Sequence, residues 1–308
     1  YEIGVRLVGS EMCIRDSYIS VEYKSQRNTT ESGREFMKIG TMVALDDNVV
    51  AKIADVKKYG LQSFQLVCWD MARFTPENAA LVKNEADKNG LEISALWCGW
   101  EGERVWNFAD GYQTLGFVPV RYRHQRIANL KLGSDFAKKL GVTDIATHFG
   151  YLPENPGTDE FNGVVEAIRE VAEYCKQNGQ YLLFETGQET PITLLRTILA
   201  IGTGNLGINL DPANLLLYGK ANPCDAIDIF GKYVRGVHGK DGEYPTDPMR
   251  LGEEKRIGDG RVNFPLLIEK LKKCDYDGSI TIEREIGGQK QIDDILYAKK
   301  FLEDIING

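Results

Sequence analysis

The last third of the sequence repeats one pattern four times: a short apolar run that ends in a side chain able to bind a hard metal ion. The runs are Tyr181 to Glu185, Leu206 to Asp211, Tyr233 to His238 and Ser279 to Glu283. Glu185 and Asp211 are 26 residues apart, and Asp211 and His238 are 27 apart, about one strand plus one crossover helix. The 45 residues from His238 to Glu283 leave room for a long loop near 241–262. Acids and an imidazole at the C-terminal ends of consecutive parallel strands would converge on one point in the mouth of a barrel.

The rest of the chain from Met37 fits that geometry. Strands are expected at Lys38–Val43, Ser63–Trp69, Leu91–Cys98 and Val142–His148, ahead of the four ligand-bearing ones. Between them lie amphipathic runs. One spans about 47–59, one opens on Thr75-Pro76 and closes at Gly90, and one spans His124–Leu140. A fourth carries Phe161, Val164, Val165, Ile168, Val171, Ala172 and Cys175 on one face and ends at Gly179. Further helices are expected at Pro191–Ile201, Asn222–Gly231, Phe264–Cys274 and about 289–306, and an aromatic loop at 99–122. Eight strand–helix pairs in strict alternation define an α/β chain with a parallel sheet, and at this length a closed (β/α)8 TIM barrel. A doubly wound open sheet is the rival, but no Gly-rich phosphate turn of the dinucleotide or nucleoside-triphosphate type follows an early strand.

Composition narrows the function. The net charge of −8 argues against a nucleic-acid surface. No apolar run is long enough to span a membrane. Cys13, Cys68, Cys98, Cys175, Cys224 and Cys274 lie far apart with no C-x-x-C pair, and read as reduced, mostly buried thiols of a cytoplasmic enzyme.

Residues 1–36 do not share the alternation. They have a polar run from Lys24 to Glu35, and Arg6, Glu11, Arg15 and Asp16 interrupt every apolar stretch that a signal peptide would need. The segment Val8 to Ser17 resembles a translated sequencing adapter. The reading is an extension foreign to the fold over 1–36 and one catalytic TIM-barrel domain over 37–308, the alternative being a genuine disordered or capping extension.

Along each strand the side chains alternate, so Leu183 and Glu185, Asn209 and Asp211, Gly236 and His238, and Thr281 and Glu283 share a face. Three carboxylates crowded around one imidazole repel one another, and without a cation among them their pKa values would rise sharply. One divalent metal ion is therefore expected, with Glu185, Asp211, His238 and Glu283 as ligands. Mostly oxygen donors with one nitrogen favour Mn²⁺ or Mg²⁺, with Co²⁺ or Zn²⁺ as lesser candidates.

With Glu185 in Phe-Glu-Thr-Gly, Asp211 in Leu-Asp-Pro-Ala-Asn, His238 in Val-His-Gly-Lys-Asp and Glu283 in Ile-Glu-Arg-Glu, the stretch 37–308 resembles the xylose-isomerase-like barrel superfamily. The Gly258 to Phe264 turn and Tyr276-Asp277-Gly278 match as well. The nearer resemblance is to the sugar (phosphate) isomerase/epimerase branch that includes D-tagatose 3-epimerase and inosose dehydratase. It implies that Glu185 and Glu283 are catalytic as well as ligating, moving protons on opposite faces of a substrate. The implied reaction is isomerisation or epimerisation of a keto-sugar or related polyol through a metal-stabilised enediolate. The alternative is a lyase or dehydratase acting on a keto-cyclitol or 3-keto-glycoside.

Two departures weigh against a ketohexose 3-epimerase and leave the metal centre intact. Asn214 stands where family epimerases carry a second histidine, and Lys240 is the only cation where they carry an arginine. His148, Asn214, Lys240, Trp97 and Trp100 are the substrate-binding candidates. Lys240 could equally pair with Asp241 or Glu285, and the tryptophans could equally serve in packing. The expected partner is a small carbohydrate, with no nucleic acid and no membrane; a homo-oligomer is left open. An apurinic-endonuclease reading fails because its multi-zinc centre needs more histidines than the three present. A barrel that has lost its chemistry and only binds partners is disfavoured by the presence of all four ligands.

Overall fold

A computed structural model describes residues 37–308; the expected extension lies outside the described residues. Eight parallel strands close into a barrel. They are β1 (Ile39–Ala44), β2 (Ser63–Cys68), β3 (Glu92–Cys98), β4 (Asp144–Thr147), β5 (Tyr181–Glu185), β6 (Leu206–Leu210), β7 (Val234–Gly239) and β10 (Ile280–Ile282). Each pairs with its neighbour in chain order, and β10 closes the ring on β1 through Ile39 opposite Ile280. The fold expected from the alternation is the fold observed.

Alternation along the strands separates two cores. Inside the ring, Trp97, Ala146 and Leu183 pack with Met42, Val67, Trp69 and Tyr181. On the outside, Leu96, Ile145, Leu182, Phe184, Ile208 and Val237 join the larger core beneath the helices. The one-residue offset between Leu183 and Leu182 is the strand period of two acting on a closed sheet.

The helices are α1 (Val49–Lys58), α2 (Pro76–Asn89), α3 (Gly111–Thr114), α4 (Val120–Leu140), α5 (Asp159–Gln177), α6 (Pro191–Ile201), α7 (Pro212–Leu217), α8 (Pro223–Phe230), α9 (Phe264–Lys273) and α10 (Gln289–Asn307). Thr75, Thr158, Thr190 and Asn263 each cap a helix by accepting a backbone N–H from three residues on. The inward face of α5 buries Phe161, Val164, Ile168, Val171 and Cys175. Each large apolar side chain so buried contributes roughly 1.5–3 kcal/mol.

Three features depart from expectation. Helix α4 starts at Val120, four residues before His124, and the Arg123 guanidinium in its first turn donates to the carbonyls of Phe117 and Val118 just ahead of it. That first turn, Val120-Arg121-Tyr122-Arg123, leaves Val120 exposed and carries no apolar period. Helix α7 was not expected, since Pro212–Leu217 is buried all round and shows no amphipathic pattern. The long loop contains a two-residue antiparallel ladder, β8 (Asp241–Gly242) with β9 (Glu254–Lys255). Asp241 fastens the loop: its carboxylate accepts the backbone N–H groups of Gly242, Gly258, Gly260 and Val262 at 2.8–3.1 Å. A Cβ on Gly260 would fall 2.2 Å from Asp241 Oδ1, so that position admits only glycine.

Candidate metal centre

Four consecutive strands deliver the cluster. Glu185 is the last residue of β5, His238 lies in β7, and Asp211 and Glu283 sit one residue beyond β6 and β10. One ligand atom from each lies within 4.8 Å of all the others. Asp211 is fixed by its second job as N-cap of α7, Oδ1 accepting the Asn214 N–H at 2.9 Å. Its other oxygen, Oδ2, is left for the centre, 3.6 Å from His238 Nδ1.

The orientation of His238 is set from behind. Gln65 Oε1, an acceptor only, lies 2.8 Å from His238 Nε2. Asn209 Nδ2 is 2.9 Å from the same nitrogen. An imidazole whose Nδ1 faces carboxylates keeps its hydrogen on Nε2, whether doubly protonated or metal-bound, so Gln65 is the true partner. Nδ1 is thereby turned toward Glu283 Oε2 at 2.7 Å and toward Glu185 Oε1 and Asp211 Oδ2 at 3.6 Å.

Asp211 Oδ2, His238 Nδ1 and Glu283 Oε2 are all buried and none makes a hydrogen bond of acceptable geometry. Such atoms are costly to leave unmet. A divalent cation at their meeting point satisfies all three at once, so the residues fit a metal ion. Electrostatics point the same way. Burial alone would raise the carboxyls and lower the imidazole. Lys240 and His238 nevertheless hold Glu283 well below the ordinary carboxylate range, His238 and His148 lower Glu185, and Glu185 and Glu283 hold His238 well above the ordinary histidine value.

The neighbouring candidates are placed as follows. His148 Nε2 lies 3.2 Å from Glu185 Oε1, and the Trp97 indole N–H donates to Glu185 Oε2, so both brace one glutamate. Lys240 is buried, 2.7 Å from Glu285 Oε1, 3.5 Å from Asp211 Oδ2 and 3.6 Å from Glu283 Oε2. Asn214 Oδ1 accepts from Lys240 at 3.4 Å. Trp100 is fully buried behind the mouth, edge-on to Trp69 and under the Arg126 guanidinium at 3.8 Å. Trp106, 38% exposed, reaches the His148 ring at 5.1 Å.

Sequence reasoning did not single out Gln65, Gln188 or Glu189. Gln65 had a signal, being the one polar side chain inside the run Phe64 to Cys68. Gln188 and Glu189 follow the strand end in a loop, where burial leaves no periodic trace.

A closed parallel barrel with acids and an imidazole gathered at the C-terminal end of its strands belongs to the class of TIM barrels with a candidate divalent-metal centre. More narrowly, the chain belongs to the xylose isomerase-like TIM barrel family, whose model matches residues 53–305. An uncharacterized protein of Methanocaldococcus jannaschii is 24% identical over 285 residues, covering 88% of this chain and 89% of its own length. The crystal structure of a xylose isomerase domain protein from Planctomyces limnophilus superposes with a TM-score of 0.83 at 29% identity, over 88% of this chain and 97% of that one. A D-tagatose 3-epimerase-like protein shares the fold at 22% identity and a TM-score of 0.66, over 88% and 97%. No helix among the described residues is long and apolar enough to cross a membrane.

Proposed function

We propose that this chain is a divalent-metal-dependent isomerase or epimerase of a keto-sugar or related polyol, with Glu185 and Glu283 as the proton-transfer pair. The observation that carries the reading is the convergence of Asp211 Oδ2, His238 Nδ1 and Glu283 Oε2 as buried, unmet ligand atoms beside Glu185. The family and the D-tagatose 3-epimerase-like neighbour support the substrate class.

Glu185, Asp211, His238 and Glu283 would hold the ion. Bound there, it supplies positive charge opposite the developing oxyanions of an enediolate, the high-energy form in proton exchange next to a carbonyl. Mn²⁺ or Mg²⁺ suits a donor set of three carboxylates and one imidazole. The chain's own groups do the remaining work. One glutamate removes the proton α to the carbonyl, and the other returns a proton to the opposite face or to the neighbouring carbon. His148 and Trp97 hold Glu185 in place by donating to its two oxygens, which keeps it ionised and aimed. Lys240, held charged 3.6 Å from Glu283 Oε2, favours the ionised form of that glutamate.

The test is incubation of the Mn²⁺-loaded protein with ketoses, inososes and keto-glycosides in D₂O. Solvent deuterium should appear at the α-carbon with no group lost. Release of water or an aglycone would replace this reading with a lyase, and absence of exchange in every sugar would remove it. Glu185→Gln should abolish turnover; full activity in that variant would take Glu185 out of the chemistry.

A further inference from the structure

The residues that leave β5 just past Glu185, Thr186-Gly187-Gln188-Glu189, have no part in the proton transfers. They are rigidly held: Thr186 Oγ1 donates to the Asp211 carbonyl and accepts the Asp211 N–H, at 2.8 and 2.9 Å. A Cβ on Gly187 would lie 3.4 Å from Asn214 Cβ and 3.5 Å from His148 Cε1, so the segment threads between those two side chains. It buries Gln188, 1% exposed, and Glu189, 5% exposed, near His148 and Tyr218.

Their polar atoms are unmet. Glu189 Oε1, His148 Nδ1 and both polar atoms of the Gln188 carboxamide are buried without a hydrogen bond of acceptable geometry. The Gln188 carboxamide faces the Tyr218 hydroxyl without completing that bond. Among the described residues Glu189 has no cation within ion-pair distance. Burial pushes its carboxyl up to about 7, against the opposing pull of His148, the Glu189 and Gly187 backbone and Lys220. A buried carboxyl without a partner weakens a fold, and the barrel gains nothing structural from it. Groups of this kind persist where a ligand completes them.

We propose that Glu189, Gln188 and His148 Nδ1 form a hydroxyl-recognition subsite that takes the polyol part of a neutral, unphosphorylated substrate, away from the carbons that react. The assignment rests on the sugar reading above and narrows its substrate class. A carboxyl beside a carboxamide offers donors and acceptors together, which suits adjacent hydroxyls. A buried carboxyl lacking a cationic partner is a poor neighbour for a phosphate dianion. Trp106 over His148 supplies an apolar wall for the C–H face of a sugar.

The experiment compares the wild type with Glu189→Gln, both Mn²⁺-loaded, at pH 8. Thermal unfolding is measured alongside KM and kcat for whichever sugar the D₂O screen turns over and for its phosphate ester. The variant should melt higher than the wild type. Its KM for the free sugar should rise at least about tenfold, the loss of one hydrogen bond to a charged or acidic group, with kcat held within a few-fold. The wild-type preference for the free sugar over its ester should shrink. A lower melting temperature, or an unchanged KM, overturns the proposal and makes Glu189 a structural residue. If no sugar exchanges deuterium, the isomerase reading falls separately. The melting comparison then decides whether Glu189 is kept for a ligand, a rise upholding it and a fall overturning it.

Discussion

Asp211→Asn isolates the metal centre from the fold. Asp211 is fully buried and its two oxygens do different jobs: Oδ1 caps α7 at 2.9 Å from the Asn214 N–H, and Oδ2 faces His238 and Lys240 without a hydrogen bond. Asparagine keeps the shape and the capping oxygen and removes the charge from the ligand position. For the wild type, a divalent ion at about 100 times its Kd adds roughly 2.7 kcal/mol to the folded state. Melting entropy is about 2.1 cal/mol/K per residue, or roughly 0.6 kcal/mol/K for a barrel of this size. Saturating Mn²⁺ should therefore raise Tm by about 5 °C. If the variant binds about 100-fold more weakly, the same concentration contributes only about 0.4 kcal/mol, a rise under about 1 °C. Metal-free Asp211→Asn should melt close to the metal-free wild type, whereas Asp211→Ala should melt about 2 °C lower through loss of a cap worth about 1 kcal/mol. Differential scanning fluorimetry with and without EDTA reads all of these. A full metal-induced rise in Asp211→Asn, or no rise in the wild type with either Mn²⁺ or Mg²⁺, would refute the placement of the ion.

Three further outcomes follow from other parts of the molecule. Gln65→Leu removes the acceptor 2.8 Å from His238 Nε2, and Mn²⁺ affinity by titration calorimetry should fall about 10–100-fold; unchanged affinity would show that packing alone aims the ring. Arg126, fully buried over Trp100, donates to the carbonyls of Gly116, Glu103 and Glu101. Arg126→Met should therefore cost about 3–5 kcal/mol in urea unfolding and speed amide exchange in 101–117; a cost under about 1 kcal/mol would deny it that strut role. The Glu189 carboxyl ionises near 4.5 in the unfolded chain and near 7 in the fold, so its contribution to stability is complete below pH 4.5 and is lost as pH rises through 7. The wild type should lose up to about 3 kcal/mol relative to Glu189→Gln over that window, and parallel stability curves for the two proteins would contradict the shift.

The sequence carried the barrel because the signals that specify it are local and repeated. Thr75-Pro76, Gly90, Gly141 and Gly202 punctuate helices at the positions their backbones require, and the apolar runs between them are too short for anything but strands. The same locality concealed α7, whose six residues are buried on every side and so lack a period. It also hid the first turn of α4, where Arg123 reaches back to two carbonyls instead of burying a hydrophobe. At the site, strand parity brought Glu185, Asp211, His238 and Glu283 together because each lies at or next to the C-terminal end of its strand. What parity cannot supply is the reach of a side chain across the ring. Gln65 arrives at His238 from β2, a separation of 173 residues, and nothing in either neighbourhood records the meeting. Trp100 shows a related limit: its place in an aromatic loop suited a pocket wall and packing equally, and the fold buries it fully under the Arg126 guanidinium.

Charge balance connects these placements to catalysis. The centre holds three carboxylates, the buried Glu185 and Asp211 and the part-buried Glu283, and one buried ammonium, Lys240. Burial works against that ammonium, but Glu283, Asp211 and Glu285 hold it charged well above the ordinary lysine range. With His238 neutral at Nδ1, these four groups leave two negative charges, which a divalent cation would cancel, and Glu285, 2.7 Å from Lys240, adds one more at the exposed edge. On the function proposed above, a resting keto-sugar is itself uncharged, so binding the ground state would draw on hydroxyl contacts and aromatic surface instead of Coulombic attraction. Negative charge would first appear on the substrate when its α-proton passes to a glutamate. The fixed cations, Lys240 among them, then act on a charge that was absent a moment before, and stabilisation confined to that moment lowers a barrier instead of merely tightening binding. Replacing Lys240 with methionine should therefore depress kcat more than it raises KM, and an effect confined to KM would mean that the ammonium serves only to hold the resting sugar.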